Sequence, residues 1–209
     1  MTPPDGSFAT FAFLQHHRIA ISRVFALVFF AIVLATTSAQ EGSLVEPILF
    51  MSGLALVGIA TVGRLWCSLY ISGLKNSELI TVGPYSVTRN PLYFFSFLGF
   101  AGVGLATETL TLAIVFCVFF AVLYPVIILG EERFLRERFG AAFDAYCQRT
   151  PRFFPRLSLY AEPASWSVDT LRFRHTMVDV VWFVWLVAVI EMVEALHEHG
   201  VIGALVALP

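Results

Sequence analysis

Five stretches of the chain are almost continuously apolar, at about residues 19–37, 46–71, 92–106, 110–129 and 176–196. A run of roughly 20 apolar residues crosses a bilayer as a helix, because lipid leaves every backbone group to be bonded within its own segment. The pattern therefore predicts an all-α integral membrane protein with five transmembrane helices, residues 1–209 forming a single membrane domain. The turns between the stretches are short and polar: 38–43, 72–76 and Thr107-Glu108-Thr109. Pro47 and Pro91 suit helix starts, where a missing N–H is harmless. Gly99, Gly102 and Gly104 make the third span a candidate for close helix approach. Pro125 predicts a kink in the fourth. Phe134, Leu135, Phe139, Phe143 and Tyr146 share one face at helical spacing, predicting a separate amphipathic helix over 131–148. Residues 1–15 and 169–174 read as interfacial pieces. The apolar tail 201–208 is too short to span and is expected to fold back onto the bundle.

Composition agrees with this pattern. The 209 residues are 58% hydrophobic and only 13% charged, too few polar groups to cover a soluble domain of this size. Cys67, Cys117 and Cys147 have no zinc or redox spacing and read as buried thiols. The first apolar run follows His16-His17-Arg18 without a small-residue cleavage site, so no cleavable signal is expected. The formal charge of −2 matters less than its distribution. All 13 Lys and Arg residues fall on one side of the five spans, and the opposite loops, 38–45 and 107–109, carry only Glu. The positive-inside rule then places the N-terminus in the cytoplasm and the C-terminus outside, in a bacterial inner membrane. Both ends of the apolar hairpin 94–129 face the cytoplasm in that orientation.

Chemistry-bearing residues gather at those two ends, and each has a plain reading beside a functional one. Arg89-Asn90-Pro91 is either a helix start with a snorkelling arginine or part of a site. Glu131-Glu132 places two carboxylates at a low-dielectric boundary, where they repel unless a cation is close; a solvated face with a Glu132–Arg136 pair is the alternative. Arg64 lies inside an apolar run and is a site candidate by default, although it is near enough to the interface to snorkel. Glu191, Glu194, His197 and Glu198 could suggest a metal cluster, but a solvated helix end is the expected reading, and no metal site is assigned.

Taken together, Gly83-Pro84-Tyr85, Arg89-Asn90-Pro91-Leu92-Tyr93, Glu131-Glu132, Phe139-Gly140, Tyr146 and the proline-rich exit to Pro155 resemble the isoprenylcysteine carboxyl methyltransferase family and its phospholipid methyltransferase relatives. The resemblance covers residues 75–155, a cofactor-binding core. It implies S-adenosylmethionine in a cytoplasmic pocket between the motif before span three and the helix after span four, with a lipid or lipidated substrate entering from the bilayer. No nucleic-acid partner is implied, and oligomeric state is open.

The resemblance carries cofactor binding onto Ser77, Glu78, Leu79, Ile80, Tyr85, Asn90, Pro91, Leu92, Tyr93 and Glu131, with Arg64, Arg89 and Glu132 as catalytic candidates. Asn90 stands where the family has His, which keeps a donor and an acceptor but removes any titrating role. The family's substrate-carboxylate arginine corresponds to Ile127, which cannot pair with an anion; Arg64 is the substitute if its helix packs beside span four. Alternatives are a phospholipid amine N-methyltransferase, an NADPH-dependent sterol-type reductase, and a non-enzymatic membrane protein.

Overall fold

The fold is that of a computed structural model, which describes residues 24, 26–39, 42–74 and 77–209. The N-terminal arm, the start of the first span, Arg18, Arg23 and Lys75 lie outside the described residues. In chain order the elements are α1 (Ala26–Ala35), β1 (Thr36–Ser38), α2 (Val45–Ile71), α3 (Pro84–Val87), α4 (Pro91–Leu105), α5 (Leu110–Phe139), α6 (Ala141–Arg149), a 3-10 turn (Leu157–Leu159), α7 (Thr170–Val180), α8 (Trp182–Glu198) and β2 (Val206–Leu208).

Among the described residues, three helices are long and apolar enough to cross a membrane: Val45–Ile71, Leu110–Phe139, and Thr170–Glu198, which takes in α7 and α8. The helices Ala26–Ala35 and Pro91–Leu105 are apolar but shorter. Large apolar side chains point outward along the long helices, among them Ile48, Met51 and Val62 on α2 and Ile114, Val118 and Val122 on α5. An outward apolar surface of this extent is a lipid-facing one.

Small residues set the centre of the bundle. A Cβ on Gly102 would lie 2.7 Å from the carbonyl oxygen of Gly53, and one on Gly53 would lie 2.6 Å from that of Gly102. Thus α2 and α4 touch backbone to backbone. α4 packs in turn against α5 and α8. Phe29, Val57, Val103, Phe116, Phe183 and Ile190 close the core between these helices.

Three expectations are corrected. First, the helix that carries the fourth span does not stop near residue 129: α5 is continuous over 30 residues, with Pro125 inside it. At 1.5 Å per residue it is about 45 Å long, against a hydrocarbon thickness of about 30 Å. Its last turns therefore leave the bilayer as helix, rich in the helix formers Glu, Arg and Leu. The expected amphipathic helix over 131–148 is instead split at Gly140, whose φ of 51° ends α5 and precedes α6. Second, residues 169–174 form no separate interfacial piece. Asp169 caps α7, accepting from the Arg172 N–H at 3.0 Å, and α7 leads into α8 with only Val181 between them.

Third, the chain is mostly but not wholly helical. The tail folds back as a strand: β2 pairs in parallel with β1, Thr36 opposite Val206 and Ser38 opposite Leu208. The Thr111 N–H then donates to the Pro209 carbonyl at 3.1 Å. A short tail that cannot span satisfies its backbone in this way.

Candidate functional site

The two halves of the polar pattern meet at the end of the bundle where α2 and α5 finish and α4 begins. The chain from Gly83 to Asn90 lies against the exit segment after α6, and backbone groups do most of the joining. The Arg89 N–H donates to the Pro151 carbonyl at 2.9 Å, the Arg156 N–H to Val87 at 2.8 Å, and the Gly83 N–H to Ala161 at 2.7 Å. The hydroxyl of Thr88, which is fully buried, donates to the Phe153 carbonyl at 3.0 Å. The Tyr146 hydroxyl donates to the Tyr85 carbonyl at 2.6 Å. Phe153 is anchored among the rings of Phe94, Phe97 and Phe120.

Glu132 is the hub of this junction and is only 4% exposed. Its carboxylate accepts from Arg152 Nε at 3.1 Å and from Asn90 Nδ2 at 3.2 Å, and it lies 3.4 Å from Arg89 Nε. Asn90 Nδ2 also donates to the Arg152 carbonyl at 3.0 Å. One carboxylate thus ties the loop before α4, the end of α5 and the exit segment together. The helical Glu132–Arg136 pair does not form: Arg136 binds Asp144 at 2.8 Å instead. A buried carboxylate is held by the cations and donors it meets, and Glu132 meets two arginines.

Glu131, on the next position of α5, is half-exposed and belongs to no ion pair among the described residues. Its field reaches Tyr85. The Tyr85 hydroxyl is buried without a hydrogen-bond partner. Burial above all, with nearby anionic groups adding to it, raises its ionisation well above the ordinary tyrosine value, so it stays a neutral donor. Ile80 packs with Tyr85, Cys67 and Tyr70, and Leu92 lies against that cluster. Tyr93 meets Tyr124 edge-on, with ring centroids 5.5 Å apart. Ser77 and Glu78 are exposed at a turn in which both N–H groups donate to Leu74. Pro91 is buried as the first residue of α4. An unpaired carboxylate, an unpartnered phenol and apolar faces suit a ligand with one cationic end and one flat ring.

Arg64 lies inside the bundle, within electrostatic reach of Tyr85. It donates to Ser96 of α4, and its guanidinium lies over the Phe183 ring of α8 at 5.6 Å from the centroid. Its Nε is buried without a partner. Tyr124 and Asp179 lie within its electrostatic reach. α2 packs on α4, α7 and α8, so Arg64 approaches α5 across α4 and not from a helix directly beside it. Ile127 is buried in α5.

Reading the sequence alone leaves out Arg152, the second arginine on Glu132, and the clasp of Gly83 and Ser86 on Ala161. Arg152 lies within the proline-rich exit, where no periodicity distinguishes it from its neighbours.

A family model described as phospholipid methyltransferase matches residues 53–142. The chain is 45% identical over 196 residues to the cobalt-zinc-cadmium resistance protein CzcN of Cupriavidus metallidurans, covering 94% of this chain and 90% of that protein. It is 40% identical over 198 residues to the nickel-cobalt-cadmium resistance protein NccN of Alcaligenes xylosoxydans xylosoxydans, covering 95% of this chain and 92% of that one. No solved structure matches it.

Proposed function

The chain belongs to the phospholipid methyltransferase family, and from that premise we propose that it transfers a methyl group from S-adenosylmethionine to a lipid or lipidated acceptor at the membrane. One observation carries the reading: the Glu132 hub gathers the family-like motif while leaving Glu131 without an ion pair beside the unpartnered Tyr85 hydroxyl. S-adenosylmethionine would be held by Glu131, Tyr85 and the apolar strip around them and would supply an electrophilic methyl carbon to the acceptor.

The protein's own residues bind, orient and exclude water. Glu131 pairs with the cofactor's ammonium, an attraction strengthened by the neighbouring low dielectric. Tyr85 donates its hydroxyl, and Ile80, Leu92 and Tyr93 offer faces to the adenine. Ser77, Glu78, Leu79 and Pro91 complete the strip around it. Asn90, Arg89 and Glu132 hold the loop that carries these groups. Methyl transfer is an in-line displacement, so most of the acceleration comes from positioning in a dry site. An entirely apolar groove of about 480 Å³ between α4 and α5, lined by Phe97, Ala101, Ile114 and Val118, suits an acyl or prenyl tail.

Although α2 does not pack beside α5 as the substitution requires, Arg64 is the residue we assign to the acceptor's polar end, because Tyr124 of α5 and Tyr85 fall within its electrostatic reach. Its unpartnered Nε inside the bundle supports an anionic or strongly hydrogen-bonding group there, since Ile127 offers none. The names of the two relatives support a role in which this modification serves resistance to divalent metals. Arg64→Ala is expected to abolish methyl transfer to membrane lipid extract, read with labelled cofactor, while S-adenosylhomocysteine binding is kept. Normal turnover by that variant would remove the acceptor role from Arg64 and favour an amine acceptor.

A further inference from the structure

Between α6 and α7 runs a segment that none of the expected spans includes. From Arg149 to Tyr160 it carries Arg149, Arg152 and Arg156, no acidic residue, and the apolar side chains of Phe153, Phe154 and Leu157. Pro151 and Pro155 keep it from forming a helix, apart from the 3-10 turn Leu157–Leu159. Its backbone is bonded nonetheless. The Pro151 carbonyl accepts from the Arg89 N–H and the Phe153 carbonyl from the Thr88 hydroxyl, while the Arg156 N–H donates to Val87. A segment secured in this way can lie at a membrane boundary, where unbonded backbone is costly.

Phe153 sets its level. Its ring packs against Phe97 of α4 and Phe120 of α5. Phe120 lies roughly 16 Å along α5 from Glu131, where the apolar run has ended. Even with the reach of two phenyl rings, the segment therefore passes beside the apolar part of α5 and not beyond it. From that level Phe154, whose ring meets Phe153 edge-on at 5.3 Å, and Leu157 turn outward, 73% and 78% exposed. Arg149 and Arg156 are exposed as well. Arg149 lies over the Tyr146 ring, and neither arginine belongs to an ion pair among the described residues. Outward apolar side chains flanked by cations that no carboxylate claims form the pattern of an interfacial anchor, and the charge calls for an anionic surface.

We propose that residues 149–160 anchor this end of the bundle in its leaflet: Phe154 and Leu157 enter the acyl-chain boundary, and Arg149 and Arg156 bind the phosphates of anionic phospholipids. The occupant is lipid and not a partner protein, because what flanks the segment at the level of Phe153 is the bilayer.

The test places the photoreactive residue p-benzoylphenylalanine at position 154, or at 157, of the full-length protein in nanodiscs of phosphatidylcholine and phosphatidylglycerol in equal parts. On irradiation the ketone carbon bonds to a neighbouring carbon, whose hydrogen moves to the ketone oxygen, and mass spectrometry of the intact protein weighs the adduct. Lipid adducts are expected at both positions, with phosphatidylglycerol favoured about threefold or more. In the Arg149→Gln, Arg156→Gln double variant the two lipids should be labelled equally, and about 1 M salt should level them in the same way. Gel filtration checks folding. If the residue placed at 154 prevents it, the one at 157 decides; if the double variant misfolds, the salt series decides. Absence of lipid adduct at either position of a folded protein, or equal labelling of both lipids with the arginines in place, would overturn the proposal. Methyl transfer does not enter the result, because Arg149, Phe154, Arg156 and Leu157 lie outside its site.

Discussion

Glu132 holds three separate pieces of chain with one side chain. Breaking a buried ion pair from one side leaves charge without compensation, at a cost of about 3 kcal/mol. Arg89, with its side chain 11% exposed, is the partner most damaged; Arg152, at 54%, regains water. Glu132→Ala should therefore lower the melting temperature by on the order of 10 °C, measured by differential scanning fluorimetry in detergent. A change of a degree or two would show that the backbone clasp between the 83–90 segment and the exit segment holds the junction without it. The sequence identifies Glu131-Glu132 as a pair of interest. It does not say which carboxylate turns inward, because that depends on where Arg89 and Arg152 arrive from across the fold. The burial of Glu108, only 7% exposed, is likewise hidden, because an acid in a three-residue turn has no period from which to read it.

Helix boundaries show a different limit of sequence reading. The apolar run of the fourth span ends where the bilayer does, and α5 does not. Polarity marks the membrane edge, whereas helix continuity depends on propensity and on Gly140. Because α5 continues unbroken, Glu131 and Glu132 are carried on the same rigid rod as the lipid-facing residues. The α2–α4 contact was legible in the glycines of the third span, since small residues are the means by which helices approach in lipid. Its partner Gly53 was not, because nothing in the sequence pairs the two. Gly102→Ala would press a Cβ onto the Gly53 carbonyl and the Val57 amide, and backbone cannot rotate away. A loss of about 1–3 kcal/mol is expected, again visible in the melting temperature. Gly58→Ala is the matched control, since a Cβ there meets nothing within 4 Å. It should be neutral or gain up to about 1 kcal/mol from helix propensity. Equal effects at both positions would argue against close contact of the two helices.

For the whole molecule, the arginines mark one end. Described arginines lie where α2 and α5 finish and where α4 and α7 begin, interspersed with carboxylates such as Glu132, Asp144 and Asp169. In the topology expected from the positive-inside rule, the arginine end faces the cytoplasm, where soluble cofactor is found. A cysteine replacing Gly42 should react with an impermeant maleimide added to intact cells, and one replacing Arg156 should not. The reverse labelling would put the methyl-transfer residues on the wrong side for their cofactor. The small parallel sheet was beyond the sequence, because strands of three residues leave no period to read. They pair only because the tail and the end of α1 arrive at the same corner.

The central claim is that the junction around Glu132 presents Glu131 to a sulfonium cofactor. Titration calorimetry with S-adenosylhomocysteine tests it most directly, using wild type and Glu131→Ala with NADPH as the competing ligand. The account predicts saturable S-adenosylhomocysteine binding to wild type, none of comparable affinity for NADPH, and loss of most of the binding in Glu131→Ala, where the ligand's ammonium is left unpaired. Binding of NADPH in place of S-adenosylhomocysteine, or wild-type affinity in the Glu131→Ala protein, would contradict it.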